Sequence, residues 1–510
     1  MKSNKISLKV MKDEYWWGGA VSYGVIMPFG RENVEVNLAP NNTPNQAAPF
    51  LVSSKGRYIW CDEPINFKFE NDNLYVESIR GEIELREGFE NLRHAYVEAQ
   101  KQHFPAKGKH PDELLFTAPQ YNTWIELMYE QEESRILEYA ESIVNNGMPA
   151  GVLMIDDNWQ EDYGSWKFHP GRFKNAKAMI EKIHGLGFKV MLWVCPYVSP
   201  DSAVFRFLEK EGCLVRDSNG NTAIRKWWNG YSALLDLTNN KTVKWFKDQL
   251  DILMDEYGVD GFKFDGGDPD IYRASDIASI SNYPNDFCRY YAEFGKQFKL
   301  NEFRACWKEA GEPIAQRLCD KEHSWGKNGL ASLIPNALAQ GLLGYAFTCP
   351  DMIGGGEYLN FMENSSNLDQ ELFVRYAQCS ALFPMMQFSA APWRVLSEEN
   401  LQHCKNAAEL HLKFGQKILD LAKSSAKTGE PIIRHLAYAF PDCGFEHIDD
   451  EFMLGDDVLV APLIIKGQRR RKIVFPEGVW IGDDGSRVNG NCELIVEVPL
   501  CRIPWYVRQQ

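Results

Sequence analysis

The feature that most constrains this 510-residue chain is a change of texture near residue 112. Beyond it, short apolar runs alternate with longer amphipathic stretches, the pattern of βα units wound around a parallel sheet. Runs at 114–119, 151–155, 188–194, 261–264, 303–307, 315–319, 344–348 and 384–388 predict strands. Stretches at 133–144, 176–186, 242–257 and 330–343 predict helices between them. Eight such units over roughly 300 residues fit a (β/α)8 barrel. A doubly wound sheet is the competitor, but no glycine-rich phosphate turn follows the first run.

The flanks read differently. Residues 1–110 carry alternating stretches such as Asn73-Leu74-Tyr75-Val76, separated by Asn, Pro and Gly turns, which predicts an N-terminal β-sandwich. A charged helical segment at about 86–103 leads to a linker, Lys107-Gly108-Lys109-His110-Pro111. The barrel is expected over 111–425, closing on a long helix at about 399–425. Strand-like runs at 452–462 and 472–480 place a C-terminal β-domain over 426–510.

A net charge of −15 makes nucleic acid and anionic membrane poor partners. No apolar run has the length a membrane-spanning helix needs. The opening residues lack the apolar core and cleavage site of a secretory signal, so the expected location is cytoplasmic, or exported with the signal outside this sequence. The 12 Cys are scattered without a CxxC pair and read as reduced, mostly buried thiols. Asn41-Asn42-Thr43 and Asn364-Ser365-Ser366 fit the glycosylation sequon, a tripeptide that also arises by chance. Oligomeric state is not constrained.

The informative fact is where the carboxylates fall. Asp156 and Asp157 end the second run, Asp265 and Asp268 follow the fourth, Asp320 the sixth and Asp351 the seventh. In a barrel the C-terminal strand ends converge on one pocket. A single Asp there is an ordinary helix cap; four sets in register are harder to explain that way. A ring of acids could bind metal, but there is no His-rich ligand set, and the first run leads only to Gln120-Tyr121-Asn122-Thr123-Trp124. An oxygen-only Mg²⁺ site stays open. The other chemistry is glycoside hydrolysis, where one carboxylate attacks the anomeric carbon and another carboxyl protonates the leaving oxygen. The 15 Trp favour a sugar, since indole faces stack on sugar rings. That reading calls for no cofactor and no metal.

From Trp16 to the C-terminal domain the sequence resembles glycoside hydrolase family 31. Val259-Asp260-Gly261-Phe262-Lys263-Phe264-Asp265 is similar to the family's nucleophile strand, Arg304 to its substrate-binding arginine, and Pro350-Asp351-Met352-Ile353-Gly354-Gly355 to its sugar-binding loop. Asp320, sixteen residues after Arg304, stands at the spacing of the family's acid/base, although the Trp-x-Gly that usually precedes it is missing. Lys226-Trp227-Trp228-Asn229-Gly230, Arg317-Leu318-Cys319-Asp320 and the run from Gln387 to Trp393 resemble a branch with α-galactosidase activity. Gln387 and Ser389 replace the family's common Arg-x-His, which puts glucose specificity in doubt.

The resemblance implies a retaining, exo-acting α-glycoside hydrolase of α-linked oligosaccharides or glycosides, with α-galactose as the expected sugar. Asp265 would be the nucleophile and Asp320 the acid/base. Asp156, Arg304 and Asp351 would clamp sugar hydroxyls, and Trp193 and Trp228 would form walls. Lys263, two residues before Asp265, would share its face and help keep it ionised. Asp157 is a further clamp candidate, although strand alternation points only one of Asp156 and Asp157 inward. Trp16 and Trp17 reach the site or pack at the domain edge, and Asp268 is left as a loop or capping residue. An α-xylosidase or α-glucosidase of the same mechanism, a metal-dependent barrel enzyme and an inactive sugar-binding protein are the rival readings.

Overall fold

The computed structural model describes residues 2–280 and 283–509. Eight parallel strands form one sheet: β1 (Gln120–Asn122), β2 (Val152–Ile155), β3 (Lys189–Val194), β4 (Gly261–Phe264), β5 (Leu300–Phe303), β6 (Gln316–Arg317), β7 (Thr348–Cys349) and β8 (Gln387–Phe388). They are hydrogen-bonded in the order β8-β1-β2-β3-β4-β5-β6-β7. Just past β7, Ile353 N donates to Gln387 O of β8 at 2.8 Å, so the sheet nearly closes into a barrel. Helices Glu133–Asn145, Ala176–Gly185, Asn240–Tyr257 and Leu333–Leu342 lie where the apolar periodicity predicts them. With helices outside and side chains filling the lumen, strands such as β2 and β4 are buried along their whole length.

The first and fifth strands differ from the predicted runs. Leu114–Thr117 is a helical turn, not a strand. Asp112 Oδ1 accepts from Leu114 N at 3.0 Å and starts the turn. The turn packs on the long helix Glu398–Thr428, where a Cβ on Gly415 would lie 3.0 Å from Thr117 Cα. A run as short as 114–119 has too few positions to separate the two periods. The fifth strand is Leu300–Phe303 because the residues after it are captured elsewhere: Ala47 N, on an N-terminal strand, donates to Cys306 O at 3.0 Å. The seventh and eighth strands are only the last part of, or overlap the end of, their predicted runs.

Ahead of the barrel lie two antiparallel sheets, one of five strands and one of four. In the strand Ile65–Glu70 alternate residues are buried, as expected of a half-covered sheet. The sheets face each other closely: a Cβ on Gly19 of the first would sit 2.9 Å from the Phe67 ring of the second. The segment expected to be a linker is tied down, with Gly108 N donating to Ala426 O at 2.7 Å. At the other end, a six-stranded sheet and a two-stranded ribbon enclose a small core around Leu459, Phe475, Trp480 and Tyr506. Arg375 anchors them to the barrel by donating to Val498 O and Arg502 O at 2.8 and 3.0 Å. Among the described residues every cysteine is a free thiol and most are buried. No helix of the described residues is long and apolar enough to cross a membrane.

Candidate active site

Strand register builds the floor of the site. Trp193 of β3 pairs with Lys263 of β4, and Lys263 with Glu302 of β5, so all three side chains lie in one row and point into the lumen. Two residues on from Lys263, Asp265 rises on the same face. Its amide donates to Val194 O at 2.9 Å, which extends the β3–β4 ladder to the carboxylate itself. The chain then turns away at once through Gly266 and Gly267, both left-handed at φ +70° and +74°. A Cβ on Gly266 would strike the Tyr197 ring at 2.8 Å, so glycine is required there on two counts.

Three donors converge on Asp265. Trp193 Nε1 reaches Oδ2 at 3.1 Å, while Arg304 Nε and Gly266 N both reach Oδ1 at 2.9 Å. Burial works to raise its pKa, but the charges of Arg304, Lys263 and Arg317 and the indole hydrogen bond outweigh it. The carboxyl is held well below the usual range. Asp265 is a fixed carboxylate.

Arg304, directly after β5, is held in turn. Its two terminal nitrogens donate to Asp268 at 2.8 and 2.7 Å, a bidentate clamp, and Nη1 also donates to Pro44 O at 2.7 Å. Pro44 belongs to a loop from the N-terminal sandwich at the barrel mouth, in which Asn41, Thr43, Asn45 and Gln46 are buried and Pro44 is exposed. Gln46 Nε2 in that loop donates to the carbonyls of Arg304 and Arg317 at 2.7 and 3.0 Å, and Cys319 N donates to Asn45 Oδ1 at 3.1 Å. The ends of β5 and β6 are thereby tied to the N-terminal domain.

On the opposite wall Lys263 Nζ donates to Asp156 Oδ2 at 2.7 Å, both side chains almost fully buried. Asp157 also lines the cavity, contrary to strict alternation. β2 ends at Ile155, and Asn158 takes a left-handed φ of 78°, so the two acids lie on a turn where the two-residue period no longer applies. Asp157 accepts from Tyr163 OH at 3.2 Å and from Asn229 Nδ2 at 2.5 Å. Burial, reinforced by the Asp156 charge, pushes its carboxyl up to about 7. Asn229 and Trp228 form the two-residue tip of a hairpin whose arms are Ile224–Trp227 and Gly230–Leu234. Trp228 is 51% exposed, with the Arg304 guanidinium 5.5 Å from its ring centroid.

The third wall comes from β6 and the loop after β7. Arg317 Nη1 donates to Asp320 Oδ1 at 2.7 Å and to Asp351 Oδ1 at 2.8 Å, and Nε faces Glu302 Oε1 at 3.3 Å. Asp320 is 40% exposed and on the cavity wall. Asp351 is fully buried behind it, its Oδ2 accepting from Lys321 N and Gly356 N at 2.7 Å each. Burial raises the carboxyls of both Asp351 and Glu302, and Arg317 opposes this in both. Gln387 Nε2 donates to Glu302 Oε2 at 2.7 Å beneath the cavity, and Ser389 Oγ accepts from Ile125 N at 2.7 Å; both are fully buried.

These walls enclose a cavity of about 720 Å³. Of the residues singled out from sequence, Asp156, Asp157, Trp193, Trp228, Lys263, Asp265, Arg304 and Asp320 line it, and Asp351 does not. Trp16 and Trp17 are buried away from it, Trp17 edge-on to His435 at 5.4 Å. Asn41 of the first sequon is 1% exposed. No group of three or more His, Cys, Asp and Glu side chains among the described residues is arranged to hold a metal ion.

Two family profiles match the chain: the "Glycosyl hydrolases family 31 TIM-barrel domain" over residues 116–302 and the "Glycosyl hydrolase family 31 C-terminal domain" over 429–510. The myogenesis-regulating glycosidase of Mus musculus is 32% identical over 409 residues, 78% of this chain and 57% of that protein. This chain belongs to glycoside hydrolase family 31. Alpha-xylosidase XylQ of Lactiplantibacillus pentosus is 24% identical over 85% of this chain and 58% of its own length. The family-31 fold is seen in full in a Flavobacterium johnsoniae dextranase complexed with glucose: TM-score 0.85 at 19% identity, covering 99% of this chain and 66% of that one. A soil-metagenome alpha-xylosidase complexed with xylose gives 0.83 at 20% identity, covering 99% and 79%. The chain spans about half the length of the first curated relatives it matches, from 48% to 57%.

The family-31 site also contains residues that sequence reasoning does not place there. Asp268 was readable only as a loop acid until its clamp on Arg304 is seen. Asn229 stands in the Lys226–Gly230 motif but with no role readable from it. Tyr163 and the loop through Pro44 arrive from a hairpin and from another domain, and nothing local in the sequence marks them. Arg317 did carry a signal: a charged residue inside a barrel strand needs an acidic partner, and Asp320 and Asp351 stand at neighbouring strand ends.

Proposed function

We propose that this chain is a retaining, exo-acting α-glycoside hydrolase in which Asp265 is the nucleophile and Asp320 the acid/base. The observation that carries the reading is the contrast between the two carboxyls. Asp265 is fixed and kept ionised by Trp193, Arg304 and Gly266, whereas Asp320 stands on the wall of the same cavity with 40% of its side chain exposed. In the first step Asp265 bonds to the anomeric carbon as the glycosidic bond breaks and Asp320 gives its proton to the departing oxygen. In the second, water loses a proton to Asp320, its oxygen bonds to the anomeric carbon, and Asp265 leaves with the α configuration restored. Asp156, Asp157 and Lys263 would bind the hydroxyls of the terminal sugar, and Trp193 and Trp228 would contact its ring. Arg304 holds Asp265, and Asp351 acts from behind the wall through Arg317.

The sugar we propose is α-galactose. The motifs around Lys226–Gly230, Arg317–Asp320 and Gln387–Trp393 support it. The cations on the cavity wall, Lys263 and Arg304, are each already paired with aspartate, which favours a neutral sugar over a sulfonated or carboxylated one. α-Xylose or α-glucose with the same mechanism is the alternative, favoured by the likeness to alpha-xylosidase XylQ and to alpha-glucosidase 2 of Bacillus thermoamyloliquefaciens. Release of nitrophenol from α-galactoside, α-glucoside and α-xyloside substrates, with and without chelator, decides between them. Turnover of the galactoside alone, unaffected by chelator, supports the full reading; turnover of another sugar removes galactose and keeps the mechanism. Sugar binding without turnover of any would favour a binding protein.

A further inference from the structure

One nitrogen of Arg317 faces more acceptors than it has hydrogens to give. Its Nη1 carries two hydrogens but faces three acceptors, Leu318 O at 3.1 Å, Asp320 Oδ1 at 2.7 Å and Asp351 Oδ1 at 2.8 Å. The guanidinium has little room to follow a moving partner, because it is 1% exposed, with the buried Glu302 carboxylate 3.3 Å from its Nε as an ion pair. Asp351 cannot leave either: it is fully buried, and two backbone amides hold its other oxygen. Asp320 is the partner with freedom, since 40% of its side chain meets the cavity and solvent. The contested hydrogen bond is therefore the one that can be released at little cost.

We propose that Arg317 is a positioning residue for the acid/base: it holds Asp320 as a paired carboxylate between proton transfers and releases it to act as an acid. This rests on the assignment of Asp320 made above. After Asp320 has passed its proton to the leaving oxygen it becomes a carboxylate, and Arg317 is placed to receive it. When water then transfers a proton to Asp320, the neutral acid no longer needs the guanidinium and is free to face the next substrate. The other charged groups around it are Arg304 beyond β5, Asp265 beyond β4, and Asp351 and Glu357 from the loop after β7; Lys321 turns its Nζ toward Cys319 Sγ at 3.6 Å. Among the described residues Arg317 is the charged group in direct contact with it.

The test is the alkaline limb of kcat/KM against pH, measured on a nitrophenyl α-glycoside that the enzyme turns over. A cation in contact favours the carboxylate. Arg317→Gln should therefore move the limb to higher pH by about one unit, a shift typical of losing a close opposite charge. Asp351→Asn should move it the other way, because it frees Arg317 Nη1 for Asp320 and removes a negative neighbour. Opposite shifts in variants with native circular dichroism support the proposal. An unmoved limb in Arg317→Gln, or the same direction of shift in both, overturns it. Should Arg317→Gln fail to fold, Asp351→Asn decides alone: a downward shift supports the proposal, and an unmoved or raised limb overturns it. Asp320→Ala is the separate control. If that variant keeps the wild-type limb, the assignment of Asp320 fails, whatever Arg317 does.

Discussion

Arg304 grips Asp268 with both terminal nitrogens, at 2.8 and 2.7 Å, and uses its remaining Nε to hold Asp265 at 2.9 Å. The guanidinium is planar and rigid, so fixing its fork at Asp268 also fixes the direction of Nε. Asp268 therefore acts on the nucleophile through Arg304. Asp268→Asn keeps the volume but loses the bidentate charge pair. We expect kcat/KM on a nitrophenyl glycoside to fall about tenfold to a hundredfold, the scale of a small misplacement at the reacting centre. Unchanged kinetics in a folded variant would show that Asp268 does not act on the nucleophile.

The two carboxyls proposed for chemistry should fail differently. Asp265→Ala removes the atom that bonds to the sugar, and activity should drop to background on every substrate. Asp320→Ala removes a proton donor, worth about 10²- to 10⁴-fold in general acid–base catalysis. That loss should be smallest for nitrophenyl leaving groups, which need little protonation, and added azide should raise turnover of the variant by taking the place of water. Equal losses on activated and unactivated substrates, with no effect of azide, would count against Asp320.

How much of this was legible depends on whether the signal was local. The two-residue period through Lys263 and Asp265, and the position of Asp156 and Asp320 directly after apolar runs, are local signals, and these residues line the cavity. The helical turn Leu114–Thr117 is not legible locally because its state is set by packing on a distant helix. Asp157 follows the end of β2, and a period that holds within a strand does not govern the turn beyond it. Asp351 shares the strand-end position of the other acids but lies under the wall, because the chain after β7 folds back so that Gly356 N reaches it. Those three outcomes are tertiary, and so is the reach of Pro44 and Gln46 across the barrel mouth.

Gln46 gives that reach a measurable value. Its amide donates to the carbonyls of Arg304 and Arg317, and its Oε1 accepts from Gln340 Nε2 at 2.9 Å, all in the buried interior. Gln46→Ala leaves these groups short of partners, and each unsatisfied buried group costs about 1–3 kcal/mol. We expect a loss of at least about 2 kcal/mol in denaturant unfolding, together with a lower kcat, because the carbonyls it ties down belong to the residues that hold Asp265 and Asp320. A stability loss with kinetics unchanged would separate the loop from the site.

Asp157 should leave a pH signature in stability. Burial and the neighbouring Asp156 push its carboxyl up to about 7 in the fold, against about 4 in an unfolded chain. The native state thus binds this proton more tightly than the unfolded state does. Its contribution is fully present below about pH 4, declines as the unfolded chain ionises first, and is wholly lost once pH passes about 7. Asn at this position cannot ionise and keeps an oxygen for Tyr163. The stability of Asp157→Asn relative to the parent should therefore grow between about pH 4 and pH 7 and then level off, by up to about 4 kcal/mol. Unfolding curves for both proteins across that window test the sign directly. A difference that stays flat with pH would mean that Asp157 is ionised in the native cavity throughout, with Tyr163 and Asn229 as donors to a permanent carboxylate.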